Sequence, residues 1–450
     1  MQSRKRLVLC CALSIVCAAP ALAAPLLIIS IDGLQPNYVT QADQYQLKIP
    51  VLRSFMREGV SASGVVGVLP TVTFPSHTTM LTGVTPAEHG ISSNTTFDPL
   101  GINHEGWYWY ASDIKVPTLW SVAAQAKLST ASGGWPVTIG DSNITYLLPE
   151  YWRASTSDDL KLLRALARPI GMLDAYEREL GAYVDGDTDT IPGDQVRTRF
   201  AVKLLADKHP DLMAVHLIAL DEIEHEDGPF QTTAFATLEA LDVMIGELRK
   251  AALAANPRAI VAVVSDHGFA VTHSVVNLRV PLVAAGLIKL KPADANKLPA
   301  VASWDVQVWP SGGVAGIVLR DRKDEKTRKQ VDALLTQLQS DPHNGIARVL
   351  SATDAHERGG FPEADWVVEC APGFYVGTAL RGQLIAPAPA KGMHGYVPDQ
   401  AAMHAAFFMQ GVGVGKHALG VIDMRQLAPT FAKIIGVKLP SAKQQPIVYE

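Results

Sequence analysis

Three runs of apolar residues, far apart along the chain, each lead into an aspartate. They are Leu26–Ile31 before Asp32, Ala214–Leu220 before Asp221, and Ile260–Val264 before Ser265 and Asp266. Only His216 and Ser30 interrupt their apolar character. Continuous β-branched stretches without alternation predict strands buried on both faces, as in a parallel sheet. In an open sheet of that kind, ligands bind in the crevice beyond the carboxyl ends of the strands. The pattern between these runs switches to helical spacing. Val60–Leu69 reads as a strand, Thr78–Leu81 as the start of a helix, and Pro117–Ala126 as another helix. Leu160, Leu163, Leu166 and Leu173 recur near helical spacing over 155–185. After the break at Pro192-Gly193, Asp194 is placed to cap a helix running to Ala206. Its successor is a strand over 213–220, and Leu238, Leu241, Ile245 and Leu248 form one stripe of a long helix over Thr233–Ala254. Alternating strand and helix predicts an α/β fold with a central, mostly parallel sheet flanked by helices.

The texture changes over 280–390, where Pro292, Pro299, Pro310, Pro387 and Pro389 punctuate the pattern and one clear helix stands at Glu325–Leu338. This stretch reads as an inserted α+β subdomain. The expected organisation is therefore a leader over 1–23, a first part of the core over 24–279, the insert over 280–390, and a last part of the core over 391–450. That last part holds a strand at Ala405–Met409 and a closing helix at Met424–Ile435.

At 450 residues, 48% hydrophobic and 18% charged, the chain is long enough to bury a large core. A net charge of −5 with no basic block argues against a nucleic-acid polymer or an anionic membrane surface as partner. Arg4, Lys5 and Arg6 precede an apolar run over Leu7–Ala19 and an Ala21-Leu22-Ala23 cleavage site, so an exported, secreted or periplasmic protein cut before Ala24 is expected. That run is short for a membrane span, and no later stretch reads as one. Cys10, Cys11 and Cys17 fall in the leader, which leaves Cys370 alone and excludes an intrachain disulfide in the mature chain. Its place after Val367-Val368-Glu369 reads as the end of a core strand.

The candidate chemistry is Asp32, Thr73, Asp221, His225, Asp266, His267 and His394, most of them at expected strand ends or glycine turns. Carboxylates and imidazoles without thiolates suit zinc or another borderline divalent ion. The number of ligands suggests two metals, which at about 4 Å apart stabilise both the attacking and the leaving oxygen of an in-line phosphoryl displacement. Thr73 lies in Leu69-Pro70-Thr71-Val72-Thr73-Phe74-Pro75, a strand–turn–helix junction where a hydroxyl faces the crevice near anion-attracting N–H groups. A helix cap is the competing reading of Thr73, and Thr71 is the competing hydroxyl.

Asp32-Gly33, Thr73-Phe74-Pro75, Asp221-x-x-x-His225, Ser265-Asp266-His267-Gly268 and Met393-His394-Gly395-Tyr396 occur in that order. With Leu81-Thr82-Gly83, His89-Gly90-Ile91, Asn94 and Met403-His404-Ala405-Ala406-Phe407, the set resembles the nucleotide pyrophosphatase/phosphodiesterase branch of the alkaline phosphatase superfamily. The resemblance implies an alkaline-phosphatase-like sheet and two zinc ions. It puts one ion on Asp221, His225 and His394, and the other on Asp32, Thr73, Asp266 and His267. Thr73 would be the nucleophile of a covalent phospho-threonine route, and Asn94 would donate to a non-bridging phosphate oxygen. Water activated on the first zinc would release the product. The implied partner is a small phosphodiester or nucleotide.

Two positions depart from that family's pattern. Glu224 stands where a glycine is usual in Asp-x-x-Gly-His, adding a charge beside the site. His216 stands where several nucleotide-hydrolysing members carry a base-stacking tyrosine, so His216 is expected against substrate, with Phe74 as an aromatic wall. Trp107-Tyr108-Trp109-Tyr110 and Trp135 are expected to line a leaving-group pocket, a packed loop being the alternative. A sulfatase is set aside because Cys370-Ala371-Pro372-Gly373 is followed by Phe374, not arginine. A phosphonoacetate-type carbon–phosphorus hydrolase on the same scaffold, and a secreted binding protein without turnover, remain as alternatives.

Overall fold

The protein is described here by a computed structural model covering residues 23–103, 106–152, 157–184, 187–293 and 297–450. The expected leader, apart from Ala23, lies outside the described residues. Six strands precede the insert in the main sheet: β1 (Leu26–Ile31), β2 (Val60–Val66), β3 (Thr130–Gly133), β4 (Tyr146–Leu148), β5 (Leu212–Leu217) and β6 (Ile260–Val264). Two more, Phe407–Gly411 and His417–Asp423, follow it. Across the sheet the order is 417–423, β2, 407–411, β6, β1, β5, β3, β4. The three aspartate-bearing runs are thus the central strands, with β1 parallel to both β5 and β6. Strand 407–411 runs antiparallel between β6 and β2, which makes the sheet mostly parallel.

Every residue of β1, β5 and β6 is buried. Successive side chains point to opposite faces, so each strand feeds two cores. Leu27, Ile29 and Ile31 join Leu238, Leu241 and Ile245 of the helix Thr232–Ala255 on one side. Leu26 and Ile28 join Met80, Leu427 and Phe431 on the other. Burying each such side chain contributes roughly 1.5–3 kcal/mol, and the doubled demand explains why the strands read as solid apolar blocks.

Between residues 280 and 390, strands Val306–Ser311, Val314–Leu319, Trp366–Cys370 and Ile346–Ser351 form a separate antiparallel sheet in that order. The helix Glu325–Ser340 packs Val331 and Leu335 into the same core. Cys370 closes its strand fully buried. The strand Ala270–Val276 was not legible in the sequence, because its outer residues Val271 and His273 are exposed. It pairs with Gly373–Val376, Ile385–Pro387 and Gly392–Met393, and so carries the chain to His394.

Three of the boundaries that differ from expectation bear on the site. The helix expected at Thr78 begins five residues earlier, at Thr73, and runs to Thr82. Strand β5 stops at Leu217, and Asp221 belongs to the helix Ala219–Asp227 that follows. Asp194 is not an N-cap: the helix Ile191–Lys208 runs through Pro192-Gly193, with Thr190 as the cap. Proline in the first helical turn removes an N–H that has no partner there anyway, so the dipeptide opens the helix instead of breaking it. Asp194, fully buried, accepts instead from the Ile218 and Ala219 N–H groups at the start of helix 219–227.

Asp242 does the same for the helix Pro50–Glu58: its carboxylate accepts the N–H groups of Val51 at 3.0 Å and Leu52 at 2.7 Å. That helix has no side-chain cap of its own. Asp242→Ala should therefore lower stability by about 1–2 kcal/mol, read as a lower urea midpoint at unchanged slope, with Asp242→Asn losing less.

Candidate functional site

The site stands at the carboxyl ends of the three central strands. Asp32 is the first residue beyond β1, and Asp266 and His267 follow β6 after Ser265. Gly33 turns the chain at φ +76°, and a Cβ there would lie 2.8 Å from both Glu224 Oε2 and the Phe269 ring. Asp221 and His225 sit one turn apart on helix 219–227. His394 arrives from the last segment, with Gly395 at φ +86° turning beside Ser311. Thr73 is the first residue of helix 73–82.

These residues converge as two groups. Asp221, His225 and His394 form one, and Asp32, Asp266 and His267 the other; within each, one donor atom per residue lies within 4.8 Å of the rest. The groups adjoin, for the His267 and His394 rings stack at 3.7 Å between centroids. His267 Nε2 stands 3.4 Å from Asp32 Oδ1, 3.1 Å from Asp266 Oδ2 and 3.4 Å from Thr73 Oγ1. His225 Nε2 and His394 Nε2 stand 3.5 and 3.7 Å from the Asp221 oxygens. Donors about 2.0–2.1 Å from one tetrahedral ion stand about 3.3 Å apart. The observed separations match a set of metal donors.

Hydrogen bonding supports the same reading. Asp32 Oδ1, Asp221 Oδ1 and Asp266 Oδ2 are buried without a hydrogen-bond partner among the described residues. Each such orphan costs about 1–3 kcal/mol or more, which a shared cation removes. In two of the three imidazoles the other nitrogen is held by backbone: His225 Nδ1 donates to Gly392 O at 3.0 Å and His394 Nδ1 to Thr71 O at 3.2 Å. Those bonds turn each Nε2 toward the carboxylates in the lone-pair form that ligates a metal. Thr71 also accepts the Gly395 N–H at 2.9 Å and gives its own hydroxyl to Tyr396 O at 2.8 Å. Thr71 is thereby engaged, which leaves Thr73 as the free hydroxyl of the pair.

Burial holds the Asp32 carboxyl well above the ordinary carboxylate range, with Asp266 and Asp221 adding to the shift. Asp221 is raised by burial and then by Asp266. Burial pushes His225, His267 and His394 down, so the imidazoles are neutral. Glu224 lies beside the site as expected. It is wholly buried, accepts from the Tyr38 hydroxyl, and is held well above its usual range by burial, with Asp221 and Asp266 adding.

Asn94 accepts the Phe74 N–H on Oδ1 at 2.8 Å, which leaves its amide N–H₂ group to donate. Of the N–H groups at the helix start, that of Phe74 thus goes to Asn94, Pro75 has none, and that of Ser76 goes to Val72 O. Phe74 is 1% exposed beneath Trp107 and Trp109, so it is core and not an aromatic wall. His216 likewise does not face substrate. It is 1% exposed, with Nε2 3.0 Å from Asp32 Oδ2 and Nδ1 3.4 Å from Glu150 Oε2. Trp135 is buried edge-on to His77, and Trp109 is buried; Trp107 and Tyr108 keep partial exposure, joined by Trp152.

Sequence reasoning missed His77, Glu150 and the Asp194–Arg197 pair. His77 is fully buried, with Nδ1 2.8 Å from Thr73 O and Nε2 2.9 Å from Ser30 Oγ. Its place four residues after Thr73 on one helix was the available signal. Glu150 carried none, since it follows β4 far from any motif.

Comparison with known proteins now has a geometry to attach to. Residues 26–397 match the family model described as type I phosphodiesterase / nucleotide pyrophosphatase. Bis(5'-adenosyl)-triphosphatase enpp4 of Mus musculus is 32% identical over 121 residues, 25% of this chain and 25% of that protein. An uncharacterized pyrophosphatase/phosphodiesterase of Schizosaccharomyces pombe is 24% identical over 306 residues, 64% of this chain and 51% of that protein. The chain thus spans between a quarter and about half the length of these relatives. Murine ectonucleotide pyrophosphatase / phosphodiesterase 5 has the same fold, with a TM-score of 0.65 at 20% identity, covering 92% of this chain and 96% of that one. An inactive threonine-to-alanine variant of that mouse protein, in complex with AMP, aligns with a TM-score of 0.65 at 19% identity over the same shares.

The raised Asp32 and Asp221 carboxyls retain protons into a range where free aspartate has none, while the lowered imidazoles carry none. Zinc added to metal-free protein in weakly buffered, mildly acidic solution should therefore release protons from the carboxyls, increasingly so as the pH falls. Titration with a pH indicator checks the sign; net proton uptake would contradict it.

Proposed function

This chain belongs to the type I phosphodiesterase / nucleotide pyrophosphatase family, and from that membership we propose that it hydrolyses phosphodiester or pyrophosphate bonds of small substrates, nucleotides among them. The observation that carries the reading is the Thr73 hydroxyl, 3.4 Å from His267 Nε2 at the mouth of two adjoining donor groups. A donor set of carboxylates and imidazoles without thiolate fits two zinc ions: Asp221, His225 and His394 would hold one, and Asp32, Asp266, His267 and Thr73 the other. When bound, such ions lower the pKa of a hydroxyl and neutralise charge developing on phosphate oxygens.

Thr73 Oγ loses its proton to solvent and attacks phosphorus in line. An Oγ–P bond forms, the P–O bond to the leaving group breaks, and the leaving oxygen keeps the electron pair and takes a proton from water. Water then attacks the phospho-threonine, its oxygen bonding to phosphorus as Oγ leaves and is reprotonated. The Asn94 amide donates to a non-bridging oxygen through both steps, a contact that strengthens as charge accumulates there. Its Oδ1 is fixed by the Phe74 N–H, so the amide is aimed before substrate arrives. His77 holds the Thr73 carbonyl and so the start of the helix. The half-exposed Trp107 and Trp152 offer the apolar surface for the substrate's organic part. The basic and apolar N-terminal segment supports export, and among the described residues no helix is long and apolar enough to cross a membrane.

Bis-p-nitrophenyl phosphate should be cleaved, and EDTA should abolish the cleavage until zinc is restored. Thr73→Ala should retain zinc and lose turnover by on the order of 10⁴-fold. Rapid cleavage of phosphonoacetate with poor diester turnover would favour a carbon–phosphorus hydrolase instead. Bound zinc with no hydrolysis of either would favour a binding protein.

A further inference from the structure

Asp32 has two oxygens with different surroundings. Oδ1 has no hydrogen-bond partner and lies 3.4 Å from His267 Nε2, on the donor side of the site. Oδ2 lies 3.0 Å from His216 Nε2, on the side away from it. The second nitrogen of His216 faces Glu150 Oε2 at 3.4 Å, and the Glu150 side chain is only 8% exposed. Both ring nitrogens of His216 thus face carboxylates, so neither is open to a metal or a substrate. The ring also packs against His77 at 4.4 Å between centroids, which blocks its rotation.

We propose that Glu150 and His216 are positioning residues that hold Asp32 for metal coordination. The inference rests on the metal reading of the site given above. Glu150 fixes the imidazole, the imidazole fixes Oδ2, and Oδ1 is left pointing at the second donor group. The other group is held separately: Asp194 anchors the start of helix 219–227, which carries Asp221 and His225, and Arg197 pairs with Asp194. Loss of the Glu150–His216 link should therefore loosen one of two metal sites and spare the other. Partners one shell out from a metal ligand typically set affinity by 10–100-fold.

The test is a zinc titration of metal-free protein against a chromogenic chelator, in unmodified protein, Glu150→Ala and His216→Gln, alongside the melting temperature of each metal-free form. Unmodified protein should bind two equivalents. Glu150→Ala, which removes the acceptor, should weaken one of them roughly 10–100-fold, leave the other unchanged, and keep the metal-free melting temperature close to that of the unmodified protein. His216→Gln, which offers an amide to Asp32 but breaks the link to Glu150, should show the same selective loss and carries the test if Glu150→Ala does not fold. Unchanged affinity for both equivalents overturns the proposal. So does equal weakening of both together with a lowered metal-free melting temperature, which would assign these residues to packing alone. Failure of the unmodified protein to bind zinc would instead overturn the metal reading itself, and this inference with it.

Discussion

Three buried aspartates sharing one end of a sheet are the constraint to which the rest of the structure answers. Burial raises the cost of ionising Asp32 and Asp221, the neighbouring Asp266 adds to both, and Asp221 adds to that of Asp32. Such an arrangement persists in a folded protein only if its charge is offset, by protons kept on the carboxyls or by a cation from outside the chain. Arg197, the buried arginine near the cluster, is already committed to Asp194. The scaffold therefore fits a resident cation.

Much of this was legible in the residues because both signals are local. A strand buried on both faces must be apolar throughout, and a ligand at its end must interrupt that pattern, so Asp32 and Asp266 stand out against their strands. Asp221 stood out for the same reason, although three residues that read as strand are the linker and first turn of a helix. What could not be read was anything decided by distance between elements. Phe74 and His216 looked available for substrate because nothing in their neighbourhood says that Trp107 and Trp109 cover one and that Asp32 and Glu150 enclose the other. Asp194 looked like a cap because its own segment offers a plausible helix start, while its partners lie 24 and 25 residues on.

Glu224 shows how a substitution inside a motif is absorbed. A carboxylate in place of glycine adds volume and charge, and the structure accommodates both. The side chain lies over Gly33, where a Cβ would collide with it, and the Tyr38 hydroxyl binds it. Tyr38 is fixed in turn by the Phe230 N–H and by a stacked contact with the Phe230 ring at 4.2 Å. Position 33 is thereby kept to glycine by the Glu224 carboxylate and the Phe269 ring together, both 2.8 Å from where its Cβ would lie.

Thr71, passed over as a nucleophile, has another importance. Its carbonyl and hydroxyl clasp the segment His394–Tyr396 across 323 and 325 positions of the chain. A polypeptide emerging from its N-terminus can assemble six strands of the main sheet, the threonine and most of the donors while the first group still lacks its third member. That group is closed only by residues that arrive with the last eighth of the chain, so its geometry is the last part of the site to be set.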